Sequence, residues 1–291
     1  MAHTGAVDHF NEFGPAVAQS PVVLSVPHAG RHYPDEMLSA IRLPVAALRP
    51  LEDRHVDLVA DAAHQAGGRR EVLIVQHTAR AWIDLNRSEA ERDPKLDDGA
   101  NTRARPFESH KLRSGLGLVP RRIGRDGDIW RRRLRGAEVD ARIANCHRPY
   151  HAALRTALAA ARARFGVAVL IDIHSMPPLG PGDGSPRLVI GDRFGRSASG
   201  RIIACAEAAM EAGGWRYALN APYAGGFILD QHGRPQAGVH ALQLEFDRSL
   251  YLDDAFDAPG PGLTATAALL RTIIDAIADE VLAQPGAIAA E

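Results

Sequence analysis

Two histidines in this sequence each follow a short apolar stretch. His28 comes soon after Val22–Val26, and His174 ends a stretch that begins at Val167. Apolar runs of this length are typical of buried strands. In an open α/β sheet, side chains at the carboxyl ends of strands line the ligand crevice. Two imidazoles meeting there beside a carboxylate would form a divalent metal site of the kind that zinc hydrolases use.

The histidines also have a purely structural interpretation, since thirteen histidines in 291 residues leave room for coincidence. A third ligand should be a carboxylate, and three candidates, Glu52, Asp53 and Asp57, lie close together. Asp53 stands where a helix is predicted to begin, so it could equally be the helix N-cap. Asp57 lies one turn further along the same face, where it would be a ligand or would support one. The sequence leaves the choice among these carboxylates open.

Two further carboxylates have candidate roles near the histidines. Asp172 precedes His174 by two positions, so both side chains leave the strand on one face. Asp172 would orient the imidazole, or it would pair with an arginine. Glu245 lies in the apolar segment Ala241–Asp247, where an unpaired carboxylate is costly unless it is functional. It would act as a general base toward water, or it would face solvent at a sheet edge.

A possible carboxylate clamp follows a short predicted strand, Ala81–Leu85. Arg87 offers a two-pronged donor for a carboxylate, and Asn86 adds a further donor. Arg80 is a second candidate for the same clamp. The alternative for each arginine is an ordinary surface ion pair.

The elements that must position these residues alternate between strand and helix. Besides the first strand, the predicted strands are Glu71–His77, Val167–Ile173, Arg187–Gly191, Trp215–Asn220 and His240–Asp247. The predicted helices are Asp53–Gln65, Glu138–Phe165, Ser197–Ala212 and Leu263–Leu282. The Gly-rich segment Tyr223–Gly238 is predicted to be irregular. Within it, Tyr223 and Gly226 are predicted to approach a ligand closely, and the alternative is that they only form a turn. This alternation predicts one α/β domain over residues 1–291.

Composition excludes several classes of protein. A net charge of −1 argues against nucleic-acid binding. Two cysteines, Cys146 and Cys205, make neither a disulfide framework nor a cysteine-type zinc site. The polar start of the sequence predicts no signal peptide, and no apolar run approaches the length of a membrane span, about 20 residues. The sequence predicts a cytoplasmic protein, a monomer or homodimer, that acts on a small molecule.

Eight short motifs occur in order along the chain. They are Ser25–Gly30, Asp53–Asp57, Asp84–Arg87, His147–His151, Asp172–Met176, Gly191–Gly195, Pro222–Gly226 and Leu242–Glu245. Together they resemble the N-formylglutamate amidohydrolase family, from Ser20 to Asp253. That family is similar to the zinc carboxypeptidases and to aspartoacylase. The resemblance implies a three-layer α/β/α sandwich on a mixed, mostly parallel sheet, with Zn²⁺ or another divalent metal.

The resemblance also implies roles for single residues. The metal would be held by His28, Asp53 and His174, and Glu245 would be the catalytic base. Asn86 and Arg87 would bind the carboxylate of an N-acyl amino acid, with N-formyl-L-glutamate as the leading substrate. The alternatives are a zinc carboxypeptidase or a deacylase for another N-acyl amino acid or peptide, and a non-catalytic metabolite-binding relative.

Two positions depart from what the resemblance implies. The related enzymes have a carboxylate three residues after the first histidine, where this chain has Arg31. The acidic ligand must therefore come from elsewhere. The segment Ser175–Pro178, after the second histidine, also differs from dedicated histidine-pathway deformylases, so the formyl substrate follows from the family and not from the pocket residues.

Overall fold

A computed structural model describes residues 9–100, 109–124, 127–180 and 184–283. The strands found in these ranges are β1 (Phe10–Phe13), β2 (Val22–Val26), β3 (Val72–Gln76), β4 (Arg122–Ile123), β5 (Gly127–Asp128), β6 (Ala168–Met176), β7 (Leu188–Gly191), β8 (Tyr217–Leu219) and β9 (Val239–Asp247). The α-helices are α1 (Asp35–Ala40), α2 (Val56–Ala66), α3 (His110–Arg113), α4 (Gly136–Arg142), α5 (Arg148–Phe165), α6 (Gly200–Ala212), α7 (Phe227–His232) and α8 (Leu263–Ala283).

The main sheet of the described chain has seven strands in the order β1-β3-β2-β6-β9-β7-β8. Its centre, β3-β2-β6-β9, is parallel, whereas β1 and β7 run antiparallel to their neighbours β3 and β9. Strands β4 and β5 form a separate hairpin. The carboxyl ends of four parallel strands therefore meet at one edge of the sheet, where such folds bind ligands.

The central strands are buried on both faces, so their sequences are almost continuously apolar. In β6, Val169, Ile171 and Ile173 pack with α2, α6 and α8, whereas Ala168 and Leu170 face the layer that contains α5. This alternation follows from the two-residue repeat of a strand. The result is an α/β/α arrangement on a mixed, mostly parallel sheet, and it confirms the predicted fold class.

Most predicted elements are found within three residues of their predicted ends, but three segments differ in type. Ala81–Leu85 is a series of turns and not a strand. Glu138–Phe165 is not one regular helix, because a π-helical turn, Ile143–His147, joins α4 to α5. The predicted irregular segment Tyr223–Gly238 contains α7 and a short 3₁₀ helix, Pro235–Ala237.

Within the described ranges, no helix is both long and apolar enough to cross a bilayer.

Candidate metal centre and its cavity

The parallel strands bring the candidate residues together at their carboxyl ends. His28 follows β2 by two residues, and His174 lies within β6, which extends further than the sequence predicts. His174 and Glu245 are directly paired across β6 and β9. Asp53 comes from the segment before α2, where its N–H donates to the His28 carbonyl at 2.9 Å. Asp53 is not the helix N-cap, because that position is taken by His55 with a left-handed φ of 59°.

Three buried side chains converge on one point. One ligand atom each from His28, Asp53 and His174 lies within 4.8 Å of the others. The Oδ2 atom of Asp53 is 3.1 Å from Nδ1 of His174 and 3.7 Å from Nδ1 of His28. Hydrogen bonds from Ser175 Oγ (3.1 Å) and Arg248 Nη2 (3.2 Å) hold the other oxygen of Asp53. Two imidazoles and a carboxylate are a common ligand set for zinc and similar divalent metals.

Each imidazole is oriented by a second carboxylate. Nε2 of His28 lies 2.7 Å from Asp84 Oδ1, and Nε2 of His174 lies 2.8 Å from Asp172 Oδ2. Since an ionised carboxylate only accepts, both rings donate from Nε2, so Nδ1 of a singly protonated ring would be the atom that binds a metal. Nδ1 of His28 is buried and has no hydrogen-bond partner in the described part of the chain. That unpartnered acceptor, beside a carboxylate, fits a bound cation.

The electrostatics of these groups agree with the geometry. Burial by itself would raise the pKa of Asp53, but its contacts with His174 and His28 outweigh burial and hold that pKa well below its usual range. Burial likewise opposes ionisation of Asp84, yet the charges of Arg80 and His28 keep its pKa well below normal. Both carboxylates are therefore ionised at neutral pH, as cation binding requires.

The other two candidate ligands do not reach this centre. Asp57, expected as a ligand or as support for one, makes a two-pronged ion pair with Arg31 at 2.7 and 2.9 Å. Glu52 instead contacts the Tyr33 hydroxyl and Arg54. The backbone turn before α2 separates the three carboxylates, so only Asp53 points at the histidines. Arg31, which stands where related enzymes have the acidic ligand, is thus engaged by Asp57.

A cavity of about 310 Å³ opens beside the metal centre. Its lining includes the three metal-centre residues together with cationic, amide and loop residues. Those that bear on recognition are Arg80, Asn86, Arg87, Lys111, Tyr223, Gly226, Gln243 and Glu245. The cationic side chains of Arg80, Arg87 and Lys111 form what we call the cationic wall of the cavity, and they suit a small anionic molecule.

The predicted clamp residues are positioned by the turns that follow β3. Arg87 donates through Nε to the Leu116 carbonyl and through Nη1 to the Asn86 carbonyl. Its Nη2 is buried and without a partner among the described residues. Arg80 binds Asp84 through Nε and Nη2, both at 2.9 Å. Arg87 therefore has a donor left for a ligand, whereas Arg80 also orients the carboxylate behind His28.

Asn86 and Gly226 depend on each other. The Asn86 side-chain oxygen accepts a hydrogen bond from the Ile228 N–H at 2.9 Å, at the start of α7. A Cβ on Gly226 would lie only 2.5 Å from that oxygen, so the close approach requires glycine. Gly226 thus lets Asn86 reach α7, and Tyr223 lies nearby on the cavity wall.

Glu245 is 8% exposed and lines the cavity. Its Oε1 accepts a hydrogen bond from Gln243 Nε2 at 2.8 Å. Burial raises the pKa of Glu245 to about 8. A carboxylate with a raised pKa in a cavity, next to candidate metal ligands, is suited to exchange protons with a substrate or water.

Several site residues were missed from the sequence. Asp84 was noted only as part of a motif, yet it is the partner of His28. Lys111 lies in a charged segment that predicts a loop, but it stands on α3 beside the clamp. Loss of hydration and the charges of Arg87 and Arg80 lower the pKa of Lys111 to about 8. Metal-binding histidines usually have a hydrogen-bond partner such as a carboxylate, and the sequence offers none beside His28. That gap is the one signal that could have suggested Asp84.

Known proteins are similar to this chain in sequence and in fold. Residues 20–252 match the family described as N-formylglutamate amidohydrolase. An N-formylglutamate deformylase of Pseudomonas putida is 31% identical over 245 residues, which cover 80% of this chain and 82% of the relative. One from Pseudomonas aeruginosa is 29% identical over 265 residues, covering 88% and 92%. The crystal structure of N-formylglutamate amidohydrolase from Ralstonia eutropha JMP134 superposes with a TM-score of 0.84 at 30% identity, covering 94% of this chain and 98% of that one.

Proposed function

Because this chain belongs to the N-formylglutamate amidohydrolase family, we propose that it hydrolyses N-formyl-L-glutamate to formate and L-glutamate with a bound divalent metal, Zn²⁺ being the leading candidate. The observation that carries the proposal is the convergence of His28, Asp53 and His174 beside a cavity with a cationic wall. The names of relatives about 30% identical to the chain support the same reaction.

The three converging side chains would hold the metal through two Nδ1 atoms and one carboxylate oxygen. A metal bound there would supply Lewis-acid polarisation of the formyl carbonyl and a lower pKa for the attacking water. Asp84 and Asp172 would keep the two imidazoles in the tautomer that binds metal.

Glu245 would move the proton. In its ionised form it takes a proton from the attacking water, and it then delivers that proton to the departing amide nitrogen. Its burial supports this role, because a carboxyl group with a pKa of about 8 holds the transferred proton readily. Gln243 would fix the carboxyl orientation through its 2.8 Å hydrogen bond.

The side chains of the cationic wall would bind the two carboxylates of the substrate. The free Nη2 of Arg87, together with Asn86 and Arg80, would bind one carboxylate. Lys111 makes no ion pair within 4 Å in the described ranges and would bind the other carboxylate. Tyr223 and the backbone near Gly226 would close the opposite side of the cavity.

The test combines elemental analysis with formate release before and after chelation. We expect close to one divalent metal per chain, formate release from N-formyl-L-glutamate, and loss of activity with the metal. A panel of other N-acyl amino acids and short peptides serves as the comparison. Faster turnover of a neutral N-acyl amino acid or of a peptide would replace the proposed substrate. No hydrolysis of any member by metal-loaded protein would favour a binding relative.

A further inference from the structure

A second group of buried histidines lies outside the metal centre. His147, His151 and His232 are 2%, 3% and 5% exposed. Their rings follow one another, with centroids 4.4 Å apart for His147 and His151 and 5.2 Å apart for His151 and His232. We call these three residues the histidine stack. The metal centre does not use them, although two belong to one of the sequence motifs.

The first two rings of the stack bind the backbone of residues Leu85–Arg87, which we call the clamp segment. Nε2 of His147 lies 2.9 Å from the Arg87 carbonyl, and Nε2 of His151 lies 3.0 Å from the Leu85 carbonyl. Since a carbonyl oxygen only accepts, both rings donate from Nε2. The two bonded carbonyls lie on either side of Asn86.

The third ring closes a circuit of hydrogen bonds. Because His151 donates from Nε2, its Nδ1 accepts from His232 Nε2 at 2.9 Å. His232 ends α7, and the N–H of Ile228 near the start of the same helix donates to Asn86. The segment Leu85–Arg87 is thus bound both by α7 and by α5 with the π-helical turn before it.

The backbone before the stack is irregular in a way that serves this contact. The π-helical turn Ile143–His147 ends at the first histidine, and α5 begins at the next residue. A π turn adds a residue to a helical turn and so changes which side chains face a neighbour, and such turns are frequent at functional sites. His147 and His151 are then four residues apart and lie on the same face.

The stack keeps one hydrogen-bonding state at neutral pH. Burial lowers the pKa of His147 and holds that of His151 well below its usual value. Burial also lowers the pKa of His232 to about 4. A neutral His151 is required, since a protonated ring could not accept the bond from His232.

We infer that His147 and His151, supported by His232, are positioning residues that hold the Asn86–Arg87 clamp through hydrogen bonds to the carbonyls of Leu85 and Arg87. The hydrogen bonds of the stack are observed in the structure and do not depend on the proposed function. The inference rests on the proposed function only in taking Arg87 as the partner of a substrate carboxylate.

Hydrogen–deuterium exchange of the peptide spanning residues 84–88, measured in zinc-loaded protein, tests the restraint directly. His147→Leu removes one hydrogen bond, so exchange of this peptide should accelerate roughly threefold to tenfold. His147→Gln keeps an amide donor near the Nε2 position and should stay within about twofold of the wild-type rate. If the leucine variant does not fold, His147→Asn gives the same test, because its shorter side chain cannot reach the Arg87 carbonyl.

His240→Leu is the matched control. His240 is also buried and accepts a hydrogen bond from the Ser199 N–H at 3.2 Å, but it lies near the start of β9, at the opposite end from Glu245. Its loss should leave exchange of the 84–88 peptide unchanged. Equal exchange in His147→Leu and wild type would overturn the inference, as would the same acceleration in His240→Leu.

Kinetics give the second measurement. With the restraint lost, KM for N-formyl-L-glutamate should rise roughly threefold to tenfold in His147→Leu, with zinc content and kcat nearly kept. A fall in kcat at unchanged KM would contradict the assignment of the stack to the clamp. Absence of hydrolysis in the wild-type protein would refute the proposed function alone, since the exchange experiment still decides whether the stack holds the segment.

Discussion

The metal centre and the histidine stack both consist of buried histidines near the clamp segment, and they differ in what binds their ring nitrogens. In the metal centre, Nε2 of His28 and of His174 face carboxylates, and both Nδ1 atoms point at Asp53. In the stack, Nε2 of His147 and of His151 face backbone carbonyls.

The charge of the partner explains the difference in chemistry. Burial alone lowers the pKa of any histidine, and it dominates in the stack, where the pKa of His151 is well below normal. Burial also opposes protonation of His174, but the charge of Asp172 and its hydrogen bond outweigh burial and raise that pKa. A carboxylate partner makes an imidazole a stronger base and a better metal ligand, whereas a carbonyl partner only fixes its orientation.

The largest expected effect comes from removing a metal-centre ring. His174→Ala should lose the bound divalent metal and reduce formate release to the background of the uncatalysed reaction. His151→Ala, which removes an equally buried ring from the stack, should retain the metal. Elemental analysis of both variants measures the difference. Equal metal content in the two variants would abolish the distinction between the two groups.

Glu245→Gln should have the next largest effect. The substitution keeps the shape and the contact with Gln243 but removes the base. General acid–base catalysis contributes on the order of 10²- to 10⁴-fold, so kcat should fall by that factor while metal content stays the same. Steady-state kinetics with elemental analysis checks this. A decrease of less than about tenfold would assign the base to another group.

Arg87→Lys keeps the charge but loses the planar fork of the clamp. Its kcat/KM for N-formyl-L-glutamate should fall by roughly one to two decades, equivalent to about 1.5–3 kcal/mol for a charged hydrogen bond. The comparison substrate has the bound carboxylate replaced by an amide. The kcat/KM of the variant should fall little on that amide. Since the substrate has two carboxylates, each is replaced by an amide in turn. An equal proportional fall in kcat/KM on the acid and on both amides would give Arg87 a structural role instead.

Asp84→Asn removes the charged partner of His28 while keeping its size. Loss of such a partner typically weakens metal binding by about 10- to 100-fold. Competition with a chelator of known affinity measures the change. The matched control is Asp57→Asn, because Asp57 pairs with Arg31 and does not contact a metal-centre histidine. Weakening by the same factor in both variants would contradict the assigned geometry.

The smallest effect concerns the pH dependence of stability. The folded protein lowers the pKa of His232 to about 4 from its ordinary 6.5, so the unfolded chain binds more protons between these values. The contribution of His232 to the unfolding free energy therefore falls as the pH drops from 7 toward 4. Between pH 7 and 5, wild type should lose about 1–2 kcal/mol more than His232→Gln. Urea unfolding with chelator present measures this, and equal losses would mean that His232 is not held neutral.

The sequence was sufficient to locate the central strands along the chain. Apolar runs mark β2, β6 and β9, and parallel strands end at one edge, so His28, His174 and Glu245 were expected near one another. The mixed α/β/α fold followed from the alternation of elements and from the family motifs. These features are local in sequence or follow from a general rule of parallel sheets.

Loop paths lay beyond the sequence. The residue pattern left the choice among Glu52, Asp53 and Asp57 open, and only the family resemblance named Asp53. In the structure, the turn at His55 directs Asp53 at the histidines. The contacts of His28 with Asp84 and of His147 with Arg87 join residues 56 and 60 positions apart.

Residue types and the apolar pattern by themselves determined the central strands of the sheet and which histidines reach its edge. Only the tertiary structure decided which nitrogen of each ring is free and which carboxylate it meets. The physical reason is that burial and the charge of a spatial neighbour set the state of an imidazole, and neither is local in the chain. Histidine therefore forms a candidate metal centre at His28 and His174, and it forms neutral, backbone-binding rings at His147 and His151 of the histidine stack.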